Sequence, residues 1–350
     1  MAEAEEAVVV VGRDMTEYYD VIIIGAGPAG LACAAELKDS ALSVLILEKN
    51  EIIGEKICAG GLTFIDESLN LPPEKIRIFK TQFICLRDKK YEIPLSRGLV
   101  VADRLVLGEQ QERNIKDSKN IKILKNTRVE SIEDNQVKTS AGIFHFKYLV
   151  GADGTNSITR RYLKLSNEYS FALHYEIPLS TNEAIFYLDP KILKSGYIWE
   201  FPHKNFTSVG IYFKEKHFTA EAAKKILTDY LKNKSYPFAK ANFFGAPINH
   251  SFKGFAFKNI FLIGEAAGLV SSTTGEGIYF ALVSGKEIGK KIINSSYSMP
   301  KLKKIIKTKN RQDAAMRLAG LLNTPLPIQN FIIKIFIHLA RRTWFQKYVQ

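Results

Sequence analysis

The chain is short of several features that would settle its class at once. It has three cysteines, Cys33, Cys58 and Cys85, in 350 residues. Three thiols cannot build a disulfide framework, so reduced thiols in a cytosolic setting are expected. None of them forms a C-x-x-C pair, which argues against dithiol redox chemistry. No run of 18 uncharged apolar residues exists, so no transmembrane helix is expected. The best stretch, Leu318–Ile333, is broken by Asn323, Pro325, Pro327, Gln329 and Asn330. The N-terminus, Met-Ala-Glu-Ala-Glu-Glu, lacks the basic start of a secretory signal. Residues 1–17 read as a disordered leader, and a cytoplasmic location is expected. No solenoid-period repeat is visible, and no metal site is expected.

What is present suits a folded protein. The chain is 46% hydrophobic and 24% charged, ordinary for a globular chain of about two domains. The net charge of +13 is local: residues 281–350 hold 14 Lys and Arg against two Asp and Glu. The charge therefore belongs to the C-terminal tail. No nucleic-acid-binding motif accompanies it, which argues against a nucleic-acid partner.

Tyr19–Ile24 reads as a buried strand, Gly25–Gly30 as a turn, Pro28–Lys38 as a helix and Ser43–Leu47 as a second strand. The turn, Gly25-Ala26-Gly27-Pro28-Ala29-Gly30, fits G-x-G-x-x-G, and Glu48 ends the next strand. This is the dinucleotide-binding arrangement. Gly25 allows the tight turn, Gly27 lets a pyrophosphate approach the backbone, and Gly30 seats the helix on the strand. The helix N-terminus offers N–H groups to phosphate, and Glu48 accepts from ribose hydroxyls. Cys33 on that helix reads as a small packing residue.

Two later strand ends distinguish FAD from NAD. They are Gly151-Ala152-Asp153-Gly154, and Gly264-Glu265 within Asn259–Gly268. In this order after the turn they resemble the flavoprotein family of para-hydroxybenzoate hydroxylase. That resemblance implies FAD, with Ala152, Asp153, Gly154, Gly264 and Glu265 at the cofactor; Glu265 stands where the family has Asp. Arg104 matches the family arginine near FAD, the alternative being an exposed helix charge, and Gly108 replaces a frequent Asp. Lys49 and Val129 are further cofactor candidates. No second G-x-G-x-x-G follows, so a separate NADPH domain is not expected.

Three segments narrow the resemblance to geranylgeranyl reductases. Lys56-Ile-Cys58-Ala59-Gly60-Gly61 resembles their Cys-Gly-Gly-Gly loop. Tyr197-Ile-Trp199-Glu-Phe201-Pro202 resembles their Tyr-x-Trp-x-Phe-Pro signature, with His203 where lysine is usual. Ser271-Ser-Thr-Thr-Gly275-Glu276-Gly277-Ile278 resembles their Pro-Leu-Thr-Gly-Glu-Gly-Ile segment. The likeness spans roughly residues 18–300. It implies a cofactor site that includes Lys56, Ala59, Gly60, Gly61, Gly275, Gly277 and Ile278, with Cys58 and Glu276 as catalytic candidates. The alternative readings are a packed thiol for Cys58 and a helix-start acid for Glu276. At period two, Tyr197, Trp199 and Phe201 share a strand face. They either wall a prenyl pocket or pack sheet against flavin domain.

The expected fold is α/β. A discontinuous Rossmann-type FAD domain takes residues 18–80, 98–160 and 250–295, and a sheet-based substrate domain takes 81–97 and 161–249. A basic helical tail, 296–350, follows. Within it, 296–310 reads as exposed and Gln329–Tyr348 as a helix. Lys334, His338, Arg341 and Arg342 fall on one helix face, and Phe331, Ile332, Ile335, Phe336, Leu339 and Trp344 supply the other. Such a helix either lies in an anionic membrane surface at the cytoplasmic face or docks on its own domain. The implied activity is reduction of polyprenyl C=C bonds by hydride from flavin N5. The donor is left open between NADPH and a reduced ferredoxin-type carrier. The alternatives are an aromatic monooxygenase of the same fold and a non-catalytic flavin carrier at membranes.

Overall fold

A computed structural model describes residues 16–62, 69–321 and 325–341. Residues 1–15 of the expected leader, and Arg342, Trp344 and Tyr348 of the tail, lie outside the described residues; Thr16 and Glu17 already belong to the first strand. The first elements are β1 (Thr16–Ile24), α1 (Pro28–Leu37), β2 (Val44–Leu47), β3 (Gly61–Leu62), β4 (Ile76–Leu86) and β5 (Lys89–Ala102). Then come α2 (Arg104–Arg113), β6 (Ile121–Leu124), β7 (Val129–Glu133), β8 (Gln136–Thr139), β9 (Gly142–Gly151) and α3 (Ile158–Tyr162). The middle of the chain forms β10 (Tyr169–Ile177), β11 (Ile185–Leu188), α4 (Pro190–Leu193), β12 (Tyr197–Pro202), β13 (Thr207–Phe213) and α5 (Ala220–Asn233). The last are β14 (Asn242–Asn249), β15 (Ala256–Phe257), β16 (Ile260–Leu262), α6 (Ile278–Ile293), α7 (Pro300–Leu321) and α8 (Leu326–Ala340).

Among the described residues, two sheets of eight strands organise these elements. The first has the order β15-β16-β9-β1-β2-β6, with β7 and β8 attached through β9. Its centre is parallel: β1 pairs β2 and β9, and β9 pairs β16. Parallel strands are covered on both faces, which is why β2 is the unbroken apolar run Val-Leu-Ile-Leu, buried throughout. Helices α1 and α6 cover one face, with Leu302 and Ile305 of α7 in the same core. A Cβ on Gly285 of α6 would stand 2.2 Å from the Ala29 carbonyl oxygen of α1, so the two helices approach at backbone contact. Cys33 is buried there, and burial pushes its thiol up. It packs.

The second sheet has the order β14-β10-β13-β12-β11-β4-β5-β3. It is antiparallel except where β11 joins β4. One face, with Ile198, Val209 and Ile211, lies under α5. The other carries Tyr197, Trp199, Phe201 and Tyr212 together with Leu99 and Val101. The period-two alternation of β12 thus separates an aliphatic face from an aromatic one.

The tail differs from expectation in two respects. The segment 296–310 reads as exposed, but from Pro300 it is helix α7, and it docks through Leu302, Ile305 and Lys309. Lys309 is fully buried and ion-paired with Asp313 one turn on, at 2.8 Å. The final helix begins at Leu326 and not at Gln329. No helix among the described residues is long and apolar enough to cross a membrane.

Candidate cofactor site and active site

The glycine turn has the geometry its spacing demands. Gly25 has φ +101°, and a Cβ there would lie 2.6 Å from the Ala152 carbonyl oxygen. A Cβ on Gly30 would lie 2.0 Å from the Gly25 oxygen. Gly27 faces open space, and α1 starts there with no side-chain cap and no acid in its first turn. Its first N–H groups are free for an anion. Glu48 holds the turn: one carboxylate oxygen accepts from the Ala26 N–H at 2.8 Å, the other from the Asn50 N–H at 2.9 Å. Lys49 beside it is exposed. Val129 is buried in the core on the other face of the sheet.

Asp153 and Arg104 converge on the same region from different elements. Asp153 Oδ2 accepts from the Thr159 backbone N–H at 3.1 Å, while its Oδ1 is buried without a partner. Burial raises its pKa. Arg104 opens α2 after the Asp103 cap; it is buried, not an exposed helix charge, and its Nη1 has no partner. Burial lowers its pKa, and the neighbouring Cys58, Glu265 and Asp103 oppose this, in that order. Gly108 leaves room for the preceding loop, since a Cβ there would meet the Ile53 oxygen at 2.7 Å.

Glu265 is tied to the protein on three sides. It pairs with Lys56, accepts from Thr155 Oγ1 at 2.6 Å and accepts from the Asn249 N–H at 3.1 Å. The extra methylene relative to Asp lets it reach the loop that carries Cys58. That loop is bound to the aromatic sheet face. His203 Nε2 lies 3.1 Å from the Ala59 oxygen, and a Cβ on Gly60 would meet the His203 ring at 2.4 Å. A Cβ on Gly61 would meet the Phe201 ring at 2.6 Å. Half-buried Cys58 Sγ accepts from the Gly60 N–H at 3.4 Å.

The segment before α6 closes against the same face. Tyr212 donates to the Ser272 oxygen at 3.0 Å, and Tyr197 donates to the Thr274 oxygen. Burial raises the Tyr197 pKa, with Tyr212 and then Glu276 adding to it. Gly275 has φ +68° and packs on the Tyr212 ring; Gly277 precedes the first turn of α6 at Ile278. From behind, Ser272 Oγ donates to Asp313 at 2.6 Å, and Ser271 Oγ reaches Gln312 at 3.2 Å. The structure therefore gathers Cys58, Ala59–Gly61, Tyr197, Trp199, Phe201 and the Gly275–Ile278 segment around one aromatic wall.

Sequence reading missed His174, Arg160 and the Asp313 brace. Arg160 is fully buried and donates to the carbonyls of Ala266, Ser166 and Ser251, fixing the strand end that carries Glu265. His174 sits on the aromatic face between Trp199 and Phe244, with ring centroids at 6.2 and 5.3 Å. Burial, with His203 nearby, pushes it down to about 4. The unfolded chain then binds a proton near pH 6.5 that the folded one refuses. Stability is expected to fall as pH drops from 6.5 towards 4, by about 3 kcal/mol at the lower end. Urea unfolding of wild type and His174→Phe at pH 7.5 and 4.5 checks this. Equal losses in both would assign the acid sensitivity elsewhere.

A family profile for pyridine nucleotide-disulphide oxidoreductases matches residues 22–178. An uncharacterized protein of Methanosarcina barkeri is 31% identical over 296 residues, covering 79% of this chain and 75% of its own. A digeranylgeranylglycerophospholipid reductase of Methanococcus vannielii is 28% identical over 328 residues, covering 82% and 80%. The crystal structure of a geranylgeranyl bacteriochlorophyll reductase-like protein from Thermoplasma acidophilum superposes with a TM-score of 0.79 at 20% identity, covering 96% of each chain. The chain belongs to the geranylgeranyl reductase family of FAD-dependent oxidoreductases. A flavin cofactor follows from that membership, and the site fits one. The family's dinucleotide needs an uncapped helix start, supplied at Gly27. It also needs polar groups waiting for partners, supplied by Arg104 Nη1 and Asp153 Oδ1.

Proposed function

We propose that this flavoprotein reduces isolated C=C bonds of a geranylgeranyl-type chain carried on a lipid. What carries the reading is the seating of the Lys56–Gly61 loop, which holds Cys58, on the Phe201–His203 edge of the aromatic wall. A relative 28% identical to this chain is named a digeranylgeranylglycerophospholipid reductase, which supports the same substrate class. In this reading Gly25, Ala26, Gly27, Pro28, Ala29 and Gly30 hold the pyrophosphate of FAD. Glu48 holds a ribose, and Arg104, Asp153 and the Gly264–Glu265 turn hold the middle of the cofactor. Lys49 and Val129 flank it. The Gly275–Ile278 segment and the Lys56–Gly61 loop frame the ring. Bound reduced FAD supplies a hydride from N5.

An unactivated double bond gains that hydride at one carbon and must gain a proton at the other. Cys58 Sγ holds the proton. The thiolate left behind lies within the field of Arg104 and is reprotonated from solvent. Tyr197, Trp199 and Phe201 position the prenyl chain and exclude water, and Glu276 orients the Tyr197 edge. The electron donor to the bound cofactor would be NADPH or a reduced ferredoxin-type carrier.

The test is anaerobic. The holoprotein is reduced with dithionite, mixed with geranylgeranyl lipids, and the products are weighed by mass spectrometry. Gains in steps of two hydrogens, with matching flavin reoxidation, are expected. A flavin that stays reduced until air is admitted, with no mass gain, would replace this reading by an oxygen-using enzyme.

A further inference from the structure

Helix α8 has two apolar faces and one place to bury them. Its inner stripe, Ile333, Ile337 and Ala340, packs on Ile84, Leu86 and Ile93 of the second sheet, at the outer end of the aromatic face. Partly buried Leu95 touches both that cluster and the one around Trp199 and Phe201, so the helix sits at the rim of the candidate prenyl wall. The opposite stripe, Ile328, Phe331, Ile332 and Ile335, follows i, i+3, i+4, i+7 spacing and is open to solvent. Phe331 is 63% exposed and Ile332 50%. Exposed Ile192 on the adjacent α4 extends the same surface. Lys334, His338 and Arg341 run along one flank, all exposed. After Asp313 the sequence holds no further acidic residue.

We infer that this outer face of α8 is a docking surface for an anionic lipid bilayer, holding the rim of the prenyl wall against the membrane. The inference rests on the proposed prenyl reading for its purpose but not for its test. Apolar side chains enter the headgroup boundary, while Lys334 and Arg341 on the flank meet anionic headgroups. Charge complementarity selects a membrane over a second copy of this chain, whose α8 would present the same positive flank and repel it.

The experiment is flotation of the full-length holoprotein with phosphatidylcholine vesicles, with or without about one-third phosphatidylglycerol. Binding to the anionic vesicles is expected to be at least roughly tenfold tighter, and to weaken with salt. Phe331→Asp with Ile335→Asp should cut it by about tenfold or more, with the flavin spectrum unchanged. Lys334→Glu should cut it about fivefold through charge alone. Equal binding by wild type and these variants, or no binding by wild type, overturns the inference. So does a wild-type dimer in sedimentation that the double variant converts to monomer, because a second copy then covers the face. Vesicle binding without prenyl turnover would leave the docking surface standing and fell the reductase reading alone.

Discussion

Asp313→Ala is expected to cost about 3–5 kcal/mol of folding stability and to weaken flavin retention at the same time. The reason is the company Asp313 keeps. One oxygen pairs with the ammonium of Lys309, which is fully buried, and the other accepts from Ser272. Without the carboxylate, Lys309 is a buried charge with no counter-ion, and it must either stay charged at high cost or give up its proton. Ser272 loses its acceptor, and the segment leading to Gly275–Ile278 keeps the weaker Ser271–Gln312 contact behind it, with Tyr212 and Tyr197 on the other side. Asp313→Asn separates the two effects. It keeps an acceptor for Ser272 and removes the charge, so stability should fall while flavin affinity is largely kept. Urea unfolding and flavin titration of the two variants read both quantities. A change under about 1 kcal/mol for Asp313→Ala would mean that Lys309 reaches water on its own.

Cys58→Ser is expected to lower prenyl reduction by about 10²–10⁴-fold with little effect on stability or flavin content. Serine keeps the shape of the loop and its place against His203, but its hydroxyl is a far weaker acid than a thiol. Rapid mixing under anaerobic conditions reads the step directly, as the rate of flavin reoxidation by prenyl lipid. Unimpaired reoxidation in the variant would assign the proton to another group. Tyr197 and His174 are then the nearest alternatives, since both face the same aromatic wall.

The first sheet was legible because its signals are local. Gly25, Gly27 and Gly30 are spaced by the geometry of a single turn, and β2 is apolar at every position because both its faces are covered. The common face of Tyr197, Trp199 and Phe201 followed from period two. Contacts between distant segments left no such trace. Nothing near Gly60 announces His203, 143 positions later, yet the two are in contact. Arg160 looks like any surface arginine of a short helix until three carbonyls from separate loops close around it. The tail is the instructive case. Charge density made 296–310 look exposed, but the spacing of Leu302, Ile305 and Lys309 is that of one helix face. A lysine occupies a position where an apolar residue is the rule, and Asp313 on the next turn makes that possible. Composition reports how many charges a segment has; only packing reports which one is turned inward.

The brace from α7 also sets an order of events during synthesis. Ser272 is made 41 residues before Asp313, and Glu265 is made 209 residues after Lys56. On a ribosome the glycine turn can form early, but the loop on its far side has no backing until α7 has emerged. Cofactor capture is therefore a late event, completed once α7 has emerged. A nascent chain stalled before residue 309 would expose an aromatic face meant for a buried ligand, and quality-control machinery would meet this protein in that state.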